Sequence, residues 1–276
     1  MLPQIDNRII SSFVLYVDHE IQRQGQSFVN YHGLFFPANS KVNGLTVYTC
    51  PYKQLCNDTS ISGAEIMSGV YINGNYVSVG QSGLTAINHY DGALYFTNSL
   101  PSNSVISGNF AVKDVAIYLS DQPDYKLLFD SKFETNPRYS NQISGVALDA
   151  KIAPAVFLVP KIQENRPFAF AGLDDNYNLI RAVVIADSVF QRVAIANILK
   201  NFRLKPLKVV SSSPLDYLGN MTGINYNYND LPGSSYYFPI ILGAKSTVLS
   251  QIGTSMDVRK QVSFVDFDIS TWAGHA

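Results

Sequence analysis

Residues 155–210, AVFLVPKIQENRPFAFAGLDDNYNLIRAVVIADSVFQRVAIANILKNFRLKPLKVV, decide how the chain is read. Two hydrophobic periods alternate in this stretch, and each is punctuated. Residues 156–163 read as a strand, 173–178 as a polar turn and 179–186 as a second strand. Helix follows over 188–202, then strand again over 205–210. Ser188-Val189-Phe190-Gln191 fits a capping box, in which a Ser hydroxyl and a Gln amide three residues on satisfy each other's free backbone donors. Phe190, Ala194, Ile195, Ile198 and Phe202 recur at helical spacing, which puts one stripe on a sheet. Pro206 ends the run. The stripe reads as core, and no catalytic constellation surrounds it.

The wider chain has 276 residues, 46% of them apolar, enough for one large β-rich domain or two ordinary ones. Charged residues make up only 15%, below the usual quarter, and the net charge is −1. Clustered Lys and Arg are needed to displace counterions from phosphates, and no dense basic run exists, so sequence-specific nucleic-acid binding is not expected. The start, Met1-Leu2-Pro3-Gln4-Ile5-Asp6, has no signal-peptide pattern, and no apolar run approaches the ~20 residues that span a bilayer. The expectation is a protein made and kept in a cytoplasm-like compartment, away from membranes.

Ahead of the central unit, 7–24 reads as an amphipathic helix. Ile10, Phe13, Val14, Val17 and Ile21 follow helical spacing, Asp6 or Asn7 can cap it, and Gly25 stops it. Such a stripe packs either on its own domain or on a neighbouring subunit. From 28 to 119 the pattern changes to short alternating segments, with strands expected at 44–50, 70–79, 83–89, 93–96 and 107–119. Asn73-Gly74 and Asp91-Gly92 favour the positive dihedrals of tight hairpins, so this region reads as a β-sandwich or small barrel. Along 104–119, Val105, Ala111, Val115 and Ile117 face one way while Lys113 and Asp114 interrupt. The polar stretch 120–150 is the natural boundary, with a short strand at 126–129. After the central unit, 211–238 is rich in Ser, Asn, Gly and Tyr. It carries Tyr217, Tyr226, Tyr228, Tyr236 and Tyr237, the large amphipathic side chains favoured at binding surfaces, and it also reads as a packed irregular loop. Residues 240–241 and 261–269 read as strands, with 245–251 ambiguous.

The fold class expected is therefore α+β. A β-rich sandwich or small barrel is preceded by an amphipathic helix and followed by an α/β strand–strand–helix–strand part. The corresponding division is helix 1–27, β-rich 28–122, connection 123–150 and α+β 151–276.

Chemistry-bearing patterns are few. His19, His32, His89 and His275 are scattered, without metal-ligand spacing. Cys50 and Cys56 lack the further His or Cys that would complete a tetrahedral site, and read as free thiols. Neither a nucleophile elbow nor a phosphate loop is present. Gly80-Gln81-Ser82-Gly83 lies between strands and reads as a turn. Asp174-Asp175-Asn176-Tyr177-Asn178 invites a calcium reading, yet lacks the Gly and the bidentate Glu of a calcium loop, so it too reads as a turn. No enzyme activity, cofactor or metal is expected.

Four motifs bring a family into view. They are Ile72-Asn73-Gly74 with His89-Tyr90-Asp91-Gly92-Ala93-Leu94-Tyr95-Phe96, a hairpin ending D-G-x-L-x-F; the strand Phe110-Ala111-Val112-Lys113-Asp114-Val115-Ala116-Ile117-Tyr118; Ile152-Ala153-Pro154-Ala155-Val156-Phe157-Leu158-Val159; and the strand–helix 183–199 entered through Ala186-Asp187-Ser188. In this order the segments resemble the neck proteins of tailed bacteriophages, the adaptor, neck and tail-terminator subunits that join head to tail, over residues 70–210. The resemblance implies a non-enzymatic virion subunit, assembled in the host cytoplasm and repeated around a ring through which genomic DNA passes. Its partners would be further copies of itself, the portal or adaptor, and tail tube or terminator proteins. Ile10, Phe13, Val14, Val17 and Ile21 of the helix, together with the five tyrosines, are then the expected assembly contacts. The short 166–178 connection and long 211–238 segment depart from the pattern. Two other classes remain open, a carbohydrate- or receptor-binding β module of a fibre and a hydrolase with a dispersed acidic site.

Overall fold

The first helix organises the molecule because every residue of its middle, from Ile9 to Gln22, is buried. The computed structural model describes residues 4–129, 133–135, 151–167, 174–210, 214–215, 221–249 and 260–273. In it α1 (Ile5–Gly25) starts one residue after Gln4, whose amide donates to Asn7 Oδ1 at 3.3 Å, and ends where Gln26 adopts the left-handed conformation. Caps at Asp6 or Asn7 and a stop at Gly25 were thus each placed one to three residues off.

Eight strands follow: β1 (Phe28–Val42), β2 (Leu45–Thr49), β3 (Gly69–Ile72), β4 (Asn75–Ser78), β5 (Leu84–Asn88), β6 (Ala93–Phe96), β7 (Ile106–Lys113) and β8 (Ala116–Leu119). The first seven form one sheet in the order β4-β3-β7-β1-β2-β6-β5. Its corner is β1, which pairs with β7 through residues 28–35 and with β2 through 36–42, with a register shift between Pro37 and Lys41. A strand shared by two partners along its length bends the sheet towards closure, and the result is a nearly closed barrel-like sheet. Phe35, Leu55, Met67, Val70, Leu84, Leu94, Phe96 and Phe110 fill it. The expected strands 70–79 and 107–119 are each two strands, broken by the Asn73-Gly74 turn and at Asp114-Val115.

After the break, β8 leaves the barrel and joins the second sheet. The remaining elements are α2 (Asp124–Phe129), β9 (Phe133–Thr135), β10 (Lys151–Ala153), β11 (Ala155–Pro167), β12 (Asp174–Ala186), α3 (Val189–Lys200), β13 (Lys205–Pro206), β14 (Tyr237–Val248) and β15 (Gln261–Ala273). Six strands form a half-barrel sheet ordered β13-β14-β15-β12-β11-β8, while β9 and β10 pair separately in parallel. Residues 126–129, expected as strand, are helix. Residues 174–178, expected as part of a turn, are strand, paired with β11 throughout and with β15 from Asn176 on. Strand 205–210 shrinks to two residues.

The helices cover one face of this second sheet. Val156, Leu158, Ile180, Ala182, Val184, Val265, Phe267 and Ile269 pack there against α1, α3 and Phe202. Phe13 meets Phe267 edge-on with centroids 4.9 Å apart, and Tyr16 lies 4.9 Å from Phe202. The opposite face is apolar near α2, through Tyr118, Phe157, Val183 and Ile185. Further along it carries an ionic row in which Arg181 binds Asp266 and Asp124, and Lys161 binds Asp124. That explains how β12 is apolar in both registers over 179–186.

The expected divisions are therefore crossed twice. The N-terminal helix belongs to the core of the second sheet, and β8 passes from the barrel region into that sheet. On α3 half of the expected capping box forms, Ser188 Oγ accepting from Gln191 N at 3.2 Å, while Gln191 Oε1 accepts from Asp187 N at 3.3 Å instead of from Ser188 N, and the buried stripe is rotated from the expected one. Arg192, Ile195, Ala196 and Leu199 are buried, while Phe190 is 84% exposed and Ala194 exposed. Two apolar stripes run side by side on this helix, and docking against α1 selects the one continued by Phe202.

These positions differ sharply in expected cost. Phe13→Ala should destabilise the protein by about 3–5 kcal/mol through lost transfer energy and a cavity. Phe190→Ala should stay within about 0.5 kcal/mol, as for a surface change. Urea unfolding midpoints at unchanged slope measure both.

A buried ionic junction as the candidate functional site

Charges on the inner side of α1 join the two sheets. On β7, Ile106, Phe110 and Val112 enter the barrel, so Ala111 and Lys113 point the other way, towards α1. Lys113 Nζ donates to both Asp18 carboxylate oxygens, at 2.9 and 2.8 Å, with each side chain no more than 4% exposed. One residue on, a second pair reaches the 50–61 segment: His19 Nδ1 donates to Asp58 Oδ2 at 2.7 Å. Consecutive helical residues diverge, and here the divergence is used, since Asp18 grips β7 and His19 the loop.

Asp58 is fully enclosed and heavily hydrogen-bonded. Its Oδ1 accepts from Ser60 Oγ at 2.6 Å, Ser60 N at 2.9 Å and Tyr228 N at 3.0 Å. Burial pushes this carboxyl's pKa up, but the hydrogen bonds from His19, Ser60 and the Tyr228 amide outweigh it, leaving the pKa below the ordinary carboxylate value. Above His19 lies the Tyr228 ring, stacked at 4.3 Å and 20°. The Tyr226 hydroxyl approaches Asp18 Oδ2 at 3.5 Å, and its pKa is pushed far up by burial, with the Asp18 and Asp58 charges adding to the shift.

The 221–230 segment is laced to the barrel as well. Tyr226 N donates to Asn57 O at 2.9 Å, and Thr59 N to Tyr226 O at 2.7 Å. His89 lies with Nδ1 2.8 Å from Gly223 O and Nε2 3.0 Å from Met67 O, and Asn225 Nδ2 donates to the same Met67 O. Burial nevertheless lowers the pKa of His89 below the ordinary imidazole value. Gly223 has φ +76°, and a Cβ there would stand 2.3 Å from Asn88 Oδ1, so only glycine fits.

A Ser, a His and an Asp meet here, but not as a catalytic triad. Ser60 Oγ lies 3.4 Å from His19 Nδ1, the same nitrogen that binds Asp58. Relay of a proton requires the carboxylate on one ring nitrogen and the nucleophile on the other. Cys56 and Cys50 are buried free thiols whose pKa values burial raises to about 12, so neither is a thiolate at neutral pH. No cluster of three or more His, Cys, Asp or Glu able to hold a metal occurs among the described residues. What the arrangement does is fasten barrel, helix and loop into one body. A separate surface cleft of about 380 Å³, lined by Pro37, Lys41, Thr46, Tyr48 and Leu100, shares no residue with the junction.

This geometry corrects most of the expected assembly contacts. Ile10, Phe13, Val14, Val17 and Ile21 are all buried inside the chain's own core, so the helix has no free apolar stripe to offer a neighbour. Tyr226 and Tyr228 are buried at the junction. Tyr236 is exposed and Tyr237 half-buried, their rings edge-on at 4.8 Å, and Tyr217 lies outside the described residues. Asp58 and Ser60 carry no signal in the sequence, and His89 reads there only as a scattered histidine at the start of a hairpin motif. Lys113 reads in the sequence as an interruption of an apolar strand, and Tyr226 and Tyr228 as members of a tyrosine-rich segment, and these are the signals that lead here.

Removing one member of a buried pair leaves the other charge without a partner, so Lys113→Met should cost about 3–5 kcal/mol, and Asp18→Leu combined with it should recover much of that. Asp58's depressed pKa stabilises the fold at and above its unfolded value of 3.8, and that stability is lost as pH falls through the folded value. Asp58→Asn should therefore flatten the acid limb of stability against pH, followed by urea unfolding between pH 2 and 6. No family model, curated protein or solved structure matches this chain, and no helix among the described residues is long and apolar enough to cross a membrane.

Proposed function

We propose that the protein is a structural subunit of a tailed-phage neck that closes into a ring between head and tail, contacting the portal or adaptor on one side and tail tube or terminator proteins on the other. The observation that carries this reading is the pair of open edges on the half-barrel sheet. Strand β8 covers β11 only over 155–158, and β13 covers β14 only at 240–241. Among the described residues, 160–167 of β11 and 242–248 of β14 thus have one unpaired side each. Unpaired edges are templates for another strand, and proteins that stay monomeric suppress them.

The two edges also suit each other. Strands β11 and β14 run in opposite senses, so copies repeated about an axis would bring β14 of one against β11 of the next as an antiparallel pair. This is a heterologous contact that closes by rotation. Across the sheet, Gln163, Asn178, Ile269 and Ile241 lie in one row, while the middle of the open β14 edge is Lys245. That offset is about 12 Å over about 19 Å of sheet, a strand tilt of roughly 30°, close to the tilt at which barrels close. Aligning the edge centres sets Lys245 beside Glu164. Exposed Phe190, Tyr236 and Phe238 supply apolar area elsewhere on the same half, and the phage-like motifs span 70–210.

Mass photometry and negative-stain electron microscopy of the purified protein, alone and with phage heads, test the reading. Rings, or decoration confined to the head–tail junction, are expected. Lys245→Glu should weaken the ring and Glu164→Lys in the same chain should restore it. A strictly monomeric protein that ignores phage heads overturns the proposal.

A further inference from the structure

A cluster of polar side chains lies beneath the first turn of α1, away from the ionic junction. Cross-strand partners in an antiparallel sheet share a face, and Asn165, Asn176 and Thr271 are partners in one row across β11, β12 and β15. The register shift between Pro160 and Ile162 changes the facing of β11, so that Asn165 joins the helix-covered side of the sheet. Asn178, two residues along β12, faces the same way, and Asp6 on α1 roofs the group. Asn176 Nδ2 donates to Asp6 Oδ1 at 2.7 Å and to Asn165 Oδ1 at 3.0 Å. Asn178 Nδ2 donates to Asn176 Oδ1 at 2.5 Å and lies 3.4 Å from Asp6 Oδ1.

Two acceptors of the group lack donors. Asn178 is 0% exposed, yet its Oδ1 has no hydrogen-bond partner, and neither has Thr271 Oγ1 at 1% exposure. A buried polar atom without a partner forfeits about 1–3 kcal/mol and calls for an explanation. Asp6, Asn165, Asn176, Asn178 and Thr271 bring five side chains, each with an oxygen able to act as a ligand, and a carboxylate can supply two.

We infer that these five residues form a binding site for a hard divalent cation, calcium in preference to magnesium. Calcium takes six to eight oxygens from carboxylates and amide or hydroxyl groups in flexible geometry, whereas magnesium demands a near-ideal octahedron and retains its waters. The amide nitrogens of Asn176 and Asn178 both face Asp6, and rotation about the last torsion of each, a broad and soft one, turns both oxygens to Asp6 and completes the ligand set. The positive end of α1 opposes a cation, which makes the Asp6 carboxylate indispensable. With one carboxylate in the set, affinity falls in the weak range, a Kd of about 10⁻⁴–10⁻³ M. The calcium reading of 174–178 thus returns through tertiary structure: Asn176 and Asn178 serve, not as a loop, but as two rungs of one strand face.

The test is isothermal titration of calcium chloride into the full chain, with thermal unfolding in millimolar calcium or in chelator at matched ionic strength. Saturable binding and a calcium-dependent rise in Tm are expected, with magnesium at least tenfold weaker. Asp6→Asn, which preserves the shape and the Oδ1 acceptor, should abolish the response, and exposed Asn165→Ala should weaken binding several-fold without unfolding the protein. No saturable calcium binding by the unaltered protein, or a calcium response unchanged in Asp6→Asn, overturns the inference and leaves a water-bridged polar patch. Equal magnesium binding overturns the preference for calcium.

Discussion

The structure depends on what α1 does with its two sides. Its apolar side completes the core over the second sheet, and its charged side reaches the barrel through Asp18–Lys113 and His19–Asp58. Burying four ionisable groups is costly in itself and rarely raises stability above what an apolar replacement would give. Its effect here is specificity: an apolar contact tolerates sliding, while two ion pairs one residue apart on a helix permit one docking of the barrel. Asp58, accepting four hydrogen bonds from three elements, is the most constrained point of that docking.

From this joint follows the division between closed and open parts of the molecule. Both faces of the second sheet near α2 and α3 are covered, and the barrel is filled. Among the described residues, unpaired backbone edges lie on β11 and β14 of the second sheet and on β4 and β5, the terminal strands of the barrel sheet. In the proposed ring, the long edges of β11 and β14 would supply the directional contact. Lys161, Glu164 and Arg166 along the β11 edge are the kind of charged residues that keep an edge from pairing indiscriminately.

Much of the fold was legible from local pattern. The 3.6-residue period of Ile10, Phe13, Val14, Val17 and Ile21 marked α1, Asn73-Gly74 and Asp91-Gly92 marked turns, and the Ser188–Gln191 box marked the start of α3. Partner choice was not legible in the same way. The stripe on α1 reads identically whether it covers its own sheet or a neighbour's. On α3, Phe190 and Ile195 satisfy the same periodicity, and only the position of α1 decides that one is exposed and the other buried. Of the junction's charged groups, Lys113 is the one with a trace in the strand pattern, because a cation inside an apolar strand needs a partner; His19 and Asp58 are 39 residues apart, and nothing local connects them.

By itself the sequence determined the α+β class, the order of most elements and the low-charge, strand-rich character, because these follow from hydrophobic period and turn chemistry over a few neighbouring residues. Tertiary structure decided which sheet α1 and β8 belong to, which face of α3 is buried, how the bulge in β11 brings Asn165 alongside Asn176, and where the sheet edges stay open. Those outcomes turn on contacts between segments far apart in the chain, whose pairing is set by the total burial and hydrogen bonding of the folded whole.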